Sequence, residues 1–174
     1  HSAIFACLRG EEKKYVKSLV LTASGGALRD LPTSQLAKVK AEDALKHPVW
    51  NMGKKVTIDS ATLFNKGLEV IEAMRLFDVK AKDVKVVMHR ESIIHSLVEF
   101  SDGGMKALLS TPDMRLSIDT ALFYPEHANN SVAPLDLIKT GLLTFSAPDF
   151  DRFPCLKIAM DAAEAGEGAC IAIS

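Results

Sequence analysis

The stretch DSATLFNKGLEVIE, residues 59–72, places a hydroxyl, an amide, an ammonium and carboxylates where one kind of backbone periodicity gives way to another. Val56 and Ile58 just before it form a short β-prone run, whereas from Leu63 onward Phe64, Leu68, Ile71 and Met74 recur at helical spacing. A strand is therefore expected to hand over to a helix at Asp59 and Ser60. Either residue can cap that helix, and free backbone N–H groups there would favour an anion. On the helix, Asn65, Glu69 and Glu72 fall at i, i+4 and i+7 and share a face, with Lys66 at i, i+3 from Glu69. An ordinary amphipathic helix with a surface Lys66–Glu69 pair accounts for all of this, the pair being worth only a few tenths of a kcal/mol. Gly67 shifts the balance. An interior glycine costs about 1 kcal/mol against alanine, which predicts that something approaches the backbone closely there.

Composition bounds the rest. With 174 residues and 48% hydrophobic content, the chain can build one domain around a real core. The formal net charge of -1 argues against a nucleic-acid partner. Lys13, Lys14 and Lys17 are offset by Glu11 and Glu12 and read as a solvated face. Cys7, Cys155 and Cys170 lack the spacing of a zinc site, and their odd number fits a reduced, cytosol-like compartment. No apolar run approaches a membrane span and no signal-peptide pattern opens the chain. The start at His1 without Met, and the end just after an apolar run, suggest a piece of something longer.

Outward from the central stretch, residues 2–8 read as the end of a buried helix and residues 18–22 as a buried strand. That strand feeds Ser24-Gly25-Gly26, a plain turn or a loop whose N–H groups meet a phosphate. Residues 34–45 read as a polar helix ended by Pro48. The irregular segment HPVWNMGKK, residues 47–55, holds the only Trp. Trp is most often core, but a loop carrying Trp50 and Met52 between turn-formers also suits a lid. Strands are expected over residues 83–88, 92–100 and 105–110, the last two joined by the hairpin chemistry of Ser101-Asp102-Gly103-Gly104. His89 and His95 read as satisfied core or edge histidines. A helix capped by Thr111 with Pro112 at its first position should run to about Phe123, followed by a polar loop over residues 126–131. A short strand is expected over residues 143–145, and a last helix from Pro154 to near Gly166. The fold class is α/β (α+β), with a mixed or largely antiparallel sheet flanked by helices.

Taken in order, SGG (24–26), HPVWNMGKK (47–55), DSATLFNKGLE (59–69), SIIHSLVEFSDGG (92–104), TPDMR (111–115) and FDRFPCLKIAMDA (150–162) resemble the 1-deoxy-D-xylulose 5-phosphate reductoisomerase family. Six blocks in the right order and spacing are far more specific than any one alone. The resemblance implies a central catalytic domain over residues 1–174, with an N-terminal NADPH-binding Rossmann domain and a C-terminal helical domain outside the chain. It implies Glu69 as a metal ligand for Mg²⁺ or Mn²⁺, two further carboxylate ligands lying before His1, and Glu69 and Lys66 as catalytic residues. Ser24, His47, Ser60, Asn65 and Lys66 match the residues that hold the sugar-phosphate substrate. Trp50 and Met52 match the closing loop, and Gly53 and Met114 match positions near NADPH. A homodimer, in a bacterial cytoplasm or plastid stroma and serving isoprenoid precursor biosynthesis, is implied as well.

These assignments are chemically sensible. Hydroxyl, amide, imidazole and ammonium hold a phosphate in place while chemistry proceeds elsewhere, and a hard divalent ion prefers oxygen ligands. Three departures stand out. Ala23 and Ala27 replace the Gly and Pro usual around SGG, and Arg90 replaces the Pro usual after His89. As a separate chain no turnover is expected, because the cofactor domain and most of the metal site are missing. The competing expectations are a sugar-phosphate-binding module that never catalyses, and a dimerisation domain whose polar face is structural, with the interface sought on the exposed side of the 92–110 hairpin.

Overall fold

The computed structural model describes residues 1–127 and 129–173. In chain order they form α1 (Ser2–Leu8), β1 (Val16–Ala23), α2 (Ala41–Ala44), α3 (Lys54–Ala61), α4 (Phe64–Phe77), β2 (Val84–Met88), β3 (Ile94–Phe100), β4 (Met105–Leu109), α5 (Met114–Phe123), α6 (Leu137–Thr140), α7 (Pro154–Ala165) and α8 (Glu167–Ile173). Residue 128, in the loop expected over 126–131, and residue 174 lie outside the described residues. Among the described residues no helix is long and apolar enough to cross a membrane.

The leucine- and valine-rich run VKSLVLTA becomes the central strand β1 because it must be covered on both edges and at least one face. The sheet order is β2-β1-β3-β4. β1 runs parallel to β2 and antiparallel to β3, and β3 is antiparallel to β4, so the sheet is mixed and the class is α/β, as expected. The parallel β1–β2 pair needs a crossover, and α4 lies in it. Leu19 and Leu21 of β1, Val84 and Val86 of β2 and Val98 and Phe100 of β3 form one face of the sheet, packed with Ile4 and Cys7 of α1 and Val70 and Ala73 of α4. Helix α7 covers α4 in turn, contributing Leu156 and Ala163 to the same core. Glu99 of β3 gathers Lys17, Lys85 and Ser18, which pull its carboxyl down to about 2, the Lys17 bond counting most.

Several local expectations are corrected. Val56 and Ile58 do not form a strand but lie in α3. Their β-branched preference is overridden because the segment buries residues four apart, Thr57 at 3% and Ala61 at 1% exposure, while Val56 and Ile58 stay exposed. An i, i+4 Lys55–Asp59 ion pair at 2.7 Å supports the helix. Asp59 and Ser60 therefore sit in the last turn of α3, and neither caps α4. Leu63, in the left-handed region at φ 56°, joins α3 to α4, and the first N–H of α4 is met by Thr62 Oγ1 at 3.3 Å.

The expected helix over 34–45 is instead a 3-10 turn, Thr33–Lys38, and the short α2, separated by extended backbone at Val39 and Lys40. Helix α5 starts at Met114, capped by the better acceptor Asp113, whose Oδ1 takes the Arg115 N–H at 2.9 Å; Thr111 bonds Ala133 O instead. The expected strand over 143–145 reduces to an isolated antiparallel bridge between Met88 and Ser146. The hairpin and the helix from Pro154 form as expected. Helix α8 was not anticipated.

Gly67 meets its expected close neighbour. A Cβ on it would fall well inside van der Waals contact of Ala159 Cβ on α7, so α4 and α7 approach to a distance that only glycine allows. Gly67→Ala is expected to destabilise the chain by about 1–3 kcal/mol despite its better helix propensity, the overpacking outweighing the propensity gain; urea unfolding midpoints measure it. Because the Glu99 carboxyl titrates lower folded than its ordinary 4.5, the stability it contributes is present above that value and fades as pH falls toward 2. Glu99→Gln should flatten the acid limb of stability between about pH 5 and about pH 2, with little change near neutrality.

Candidate active site

Where β1 ends, Ser24-Gly25-Gly26 turns with φ 90° at Gly25 and 64° at Gly26. The second glycine lets the loop pass directly over the end of α3, since a Cβ there would collide with the backbone of Ser60 and Ala61. This approach brings Ser24 and Ser60 to one wall of a cavity of about 510 Å³. His47 completes the wall. Its Nδ1 accepts the backbone N–H groups of Val49 at 3.1 Å and Trp50 at 2.9 Å, so its proton resides on Nε2, 3.3 Å from Ser24 Oγ. Burial first, and the charge of Arg29 second, hold its pKa below the usual imidazole value. The imidazole is therefore a neutral donor aimed at the serine.

A second part of the lining is built on the first two turns of α4. Asn65 Nδ2 donates to Glu69 Oε1 at 2.7 Å and Lys66 Nζ to Glu69 Oε2 at 2.6 Å, so each oxygen of that carboxylate already holds one donor. The Lys66 and Glu69 side chains are 15% and 25% exposed, which makes this a half-buried pair lining the cavity, unlike an ordinary surface pair. One turn on, Glu72 has its pKa raised, by burial first and by the Glu69 charge second, and its Oε2 lies 2.6 Å from His1 Nε2. Among the described residues no group of three His, Cys, Asp or Glu side chains is arranged to hold a metal ion. Glu69 offers hard oxygen suited to a divalent cation, but as a single ligand of a larger set.

The third wall comes from the start of β3 and of α5. His89 is wholly buried: its Nε2 accepts the N–H groups of Ile93 and Ile94 at 3.1 and 3.0 Å, its Nδ1 donates to Thr144 O at 3.0 Å, and its ring stacks on Phe145. That satisfied core histidine is what the sequence suggested. His95 differs. Its Nε2 donates to Ser110 Oγ at 2.6 Å, burial lowers its pKa, and it lines the cavity.

Ser24, His47, Trp50, Met52, Ser60, Asn65, Lys66, Glu69 and Met114 all line this one cavity. Gly53 does not; it is the exposed residue that precedes α3. Cavity residues that sequence reasoning did not assign to a site include His1, Thr22, Ser92, His95, Asp113 and Ser117. His95 was read as a satisfied core or edge histidine, and nothing in the sequence showed that a cavity opens there.

A family profile described as 1-deoxy-D-xylulose 5-phosphate reductoisomerase C-terminal domain matches residues 1–77, and one described as DXP reductoisomerase C-terminal domain matches residues 109–174. The chain is 54% identical over 166 residues to the 1-deoxy-D-xylulose 5-phosphate reductoisomerase of Clostridium botulinum (strain Okra / Type B1), covering 95% of this chain and 43% of that protein. It is 52% identical to that of Macrococcus caseolyticus (strain JCSC5402), covering 95% of this chain and 44% of that protein. Thus the chain spans less than half the length of these curated relatives. A crystal structure of DOX-P reductoisomerase in complex with NADPH, fosmidomycin and magnesium superposes with a TM-score of 0.93 at 47% identity, covering 99% of this chain and 45% of that one. The Zymomonas mobilis enzyme in complex with NADPH gives 0.88 at 39% identity, covering 98% of this chain and 44% of that one. By the blocks in its sequence, its mixed sheet and these likenesses together, the chain belongs to the 1-deoxy-D-xylulose 5-phosphate reductoisomerase family.

Proposed function

We propose that this chain is the substrate- and metal-binding portion of an enzyme that rearranges 1-deoxy-D-xylulose 5-phosphate and reduces the product to 2-C-methyl-D-erythritol 4-phosphate with NADPH. The observation that carries this reading is that one cavity is lined both by the neutral donors Ser24, His47 and Ser60 and by the Asn65–Glu69–Lys66 cluster. The first set suits a phosphate, whose lone pairs accept from hydroxyl and imidazole N–H. The second suits the carbonyl and hydroxyl oxygens of the reacting carbons.

Each residue has a distinct task on this reading. Ser24, Ser60 and the His47 Nε2–H fix the phosphate, so that binding energy from the unreactive end positions the reacting end. Glu69 supplies one oxygen ligand to Mg²⁺ or Mn²⁺, with further ligands from outside these residues, as the fit of a single carboxylate requires. The cation, when bound, stabilises the oxyanion that develops during rearrangement, and NADPH supplies the hydride. Lys66 and Asn65 hold the Glu69 carboxylate and present N–H donors to the substrate. Trp50 and Met52, on the loop that His47 organises, cover the site and exclude water. Gly53, just before α3, and Met114, on α5, would lie near the nicotinamide. The Rossmann domain and the helical domain of the family lie outside residues 1–174, and the enzyme works in a bacterial cytoplasm or plastid stroma. A homodimer would form through the β3–β4 hairpin, where Met105 and Leu108 are exposed.

A second reading is favoured by one observation, the lack of a three-ligand metal group among the described residues: a sugar-phosphate-binding module without catalysis. Transplanting the chain in place of the matching segment of the Clostridium botulinum reductoisomerase separates the two. The chimera is expected to oxidise NADPH on addition of 1-deoxy-D-xylulose 5-phosphate and Mg²⁺, and the isolated chain to show no turnover. A folded, inactive chimera beside an active parent would favour the module. In the chimera, Glu69→Gln should lose metal-dependent substrate binding in calorimetry. Lys66→Ala should weaken substrate affinity about 10- to 100-fold, the worth of a charged hydrogen bond; unchanged affinity would remove Lys66 from the site.

A further inference from the structure

The loop that carries Ser24 is held from behind by a charge that never enters the cavity. Arg29 folds back under its own turn, and its side chain is 17% exposed. One guanidinium nitrogen donates to Ser24 O at 2.9 Å and to Arg90 O at 3.2 Å, so a single group ties the end of β1 to the turn after β2. Gly25 makes this possible: a Cβ there would lie 2.8 Å from Arg29 Cβ and 2.8 Å from Met88 Cε. The same two segments are joined a second time by an ion pair between Arg90 and Asp30, which gives the residue that departs from the family pattern a place in the structure. From the other side, Arg152 just before α7 donates to Leu28 O at 3.1 Å, Leu31 O at 2.5 Å and Thr33 Oγ1 at 3.3 Å.

We propose that Arg29 is a positioning residue of the anion end: by holding the Ser24 carbonyl it sets the Ser24 hydroxyl against His47, and by its charge it favours an anion there. This rests on the reading of Ser24 and His47 as the phosphate contacts. Acceptors on two separate segments, the loop after β1 and the turn after β2, are more than a turn needs for stability alone, and the direction they impose is specific. With the carbonyl drawn toward the guanidinium, Oγ is left on the cavity side, 3.3 Å from the imidazole. The charge acts on the same group, since Arg29 follows burial as the cause that lowers the His47 pKa. Arg29 thus keeps His47 a neutral donor while adding positive potential that a dianion senses across a few ångströms of low-dielectric protein. Arg152 secures the same loop through its hydrogen bonds to Leu28, Leu31 and Thr33, and makes none to Ser24 or His47.

The contrast between the two arginines supplies the test. Inorganic phosphate is titrated into the 174-residue chain by calorimetry, and the His47 ring is followed by NMR over pH, in Arg29→Gln, Arg29→Lys and Arg152→Gln. Arg29→Gln should weaken phosphate about tenfold and move the His47 titration upward. Arg29→Lys should keep the His47 titration low, because the charge remains, and restore part of the affinity. In Arg152→Gln, stability should fall while the His47 titration stays in place and phosphate affinity holds within about threefold. If Arg29→Gln lowers stability yet changes neither phosphate affinity nor His47, the residue is only structural and the proposal fails. If Arg29→Gln does not fold, Arg29→Lys decides: a His47 titration that rises in it overturns the electrostatic role. If Ser24→Ala and His47→Gln leave phosphate affinity unchanged in the otherwise intact chain, the anion end itself is misassigned and both readings fall.

Discussion

Helix α4 has to meet two demands at once, and the contact between Gly67 and Ala159 is how it does so. Its Val70 and Ala73 must be buried beneath the sheet, while Asn65, Lys66 and Glu69, one to two turns earlier, must face an open cavity. A helix cannot rotate one end without the other, so its azimuth and depth are set by whichever neighbour comes closest. That neighbour is α7. With a side chain at 67 the two axes would separate, and the carboxylate would be displaced relative to Ser24 and Ser60 at the far wall. The precision of the site is in this sense a packing property of the core.

The far wall obeys a similar constraint in backbone rather than side chain. Gly26 crosses the end of α3 so closely that its missing Cβ is replaced by the Ser60 carbonyl, which locks the β1 loop to the helix that leads into α4. The two ends of the cavity are thereby joined through a short path, from Gly26 to Ser60, across Leu63 in its left-handed conformation, to Asn65 and Lys66. Short paths transmit little slack. The separation of these groups is set by the backbone, and on the proposed reading this is the preorganisation that phosphate anchoring would need to serve chemistry several bonds away.

Much of this was legible beforehand, but for uneven reasons. The buried strand over 18–22, the hairpin and the helix from Pro154 show hydrophobic period and turn residues that agree with each other, so local preference and tertiary packing pointed the same way. Residues 54–61 show the opposite case. Val56, Thr57 and Ile58 favour a strand locally, and only burial of Thr57 and Ala61 against their surroundings makes them helical, which no window of sequence displays. The error moved the expected helix cap by a few residues and replaced free N–H groups with N–H groups already bonded within α3. The proposed anion site therefore relies on side chains and on the loop after β1. The shared face of Asn65, Lys66 and Glu69 was legible because their spacing is intrahelical, and the roles expected of them came from the family resemblance. His95, Asp113 and Ser117 come from separate elements, and only the fold brings them together.

His47 shows why the covering loop and the anion end cannot be adjusted separately. The imidazole Nδ1 organises the turn that carries Trp50, while its Nε2–H faces Ser24. Protonating Nδ1 would remove the acceptor for both Val49 and Trp50 N–H groups, and so would turning the ring to bring Nδ1 to the cavity. A neutral ring in one orientation satisfies both sides, and burial together with the Arg29 charge holds it in that state. An anion that accepts from Nε2–H draws electron density toward Nδ1 and strengthens its two bonds to the loop. On the proposed reading, contact with a phosphate would therefore firm the segment that bears Trp50 and Met52, which favours anchoring first and covering second.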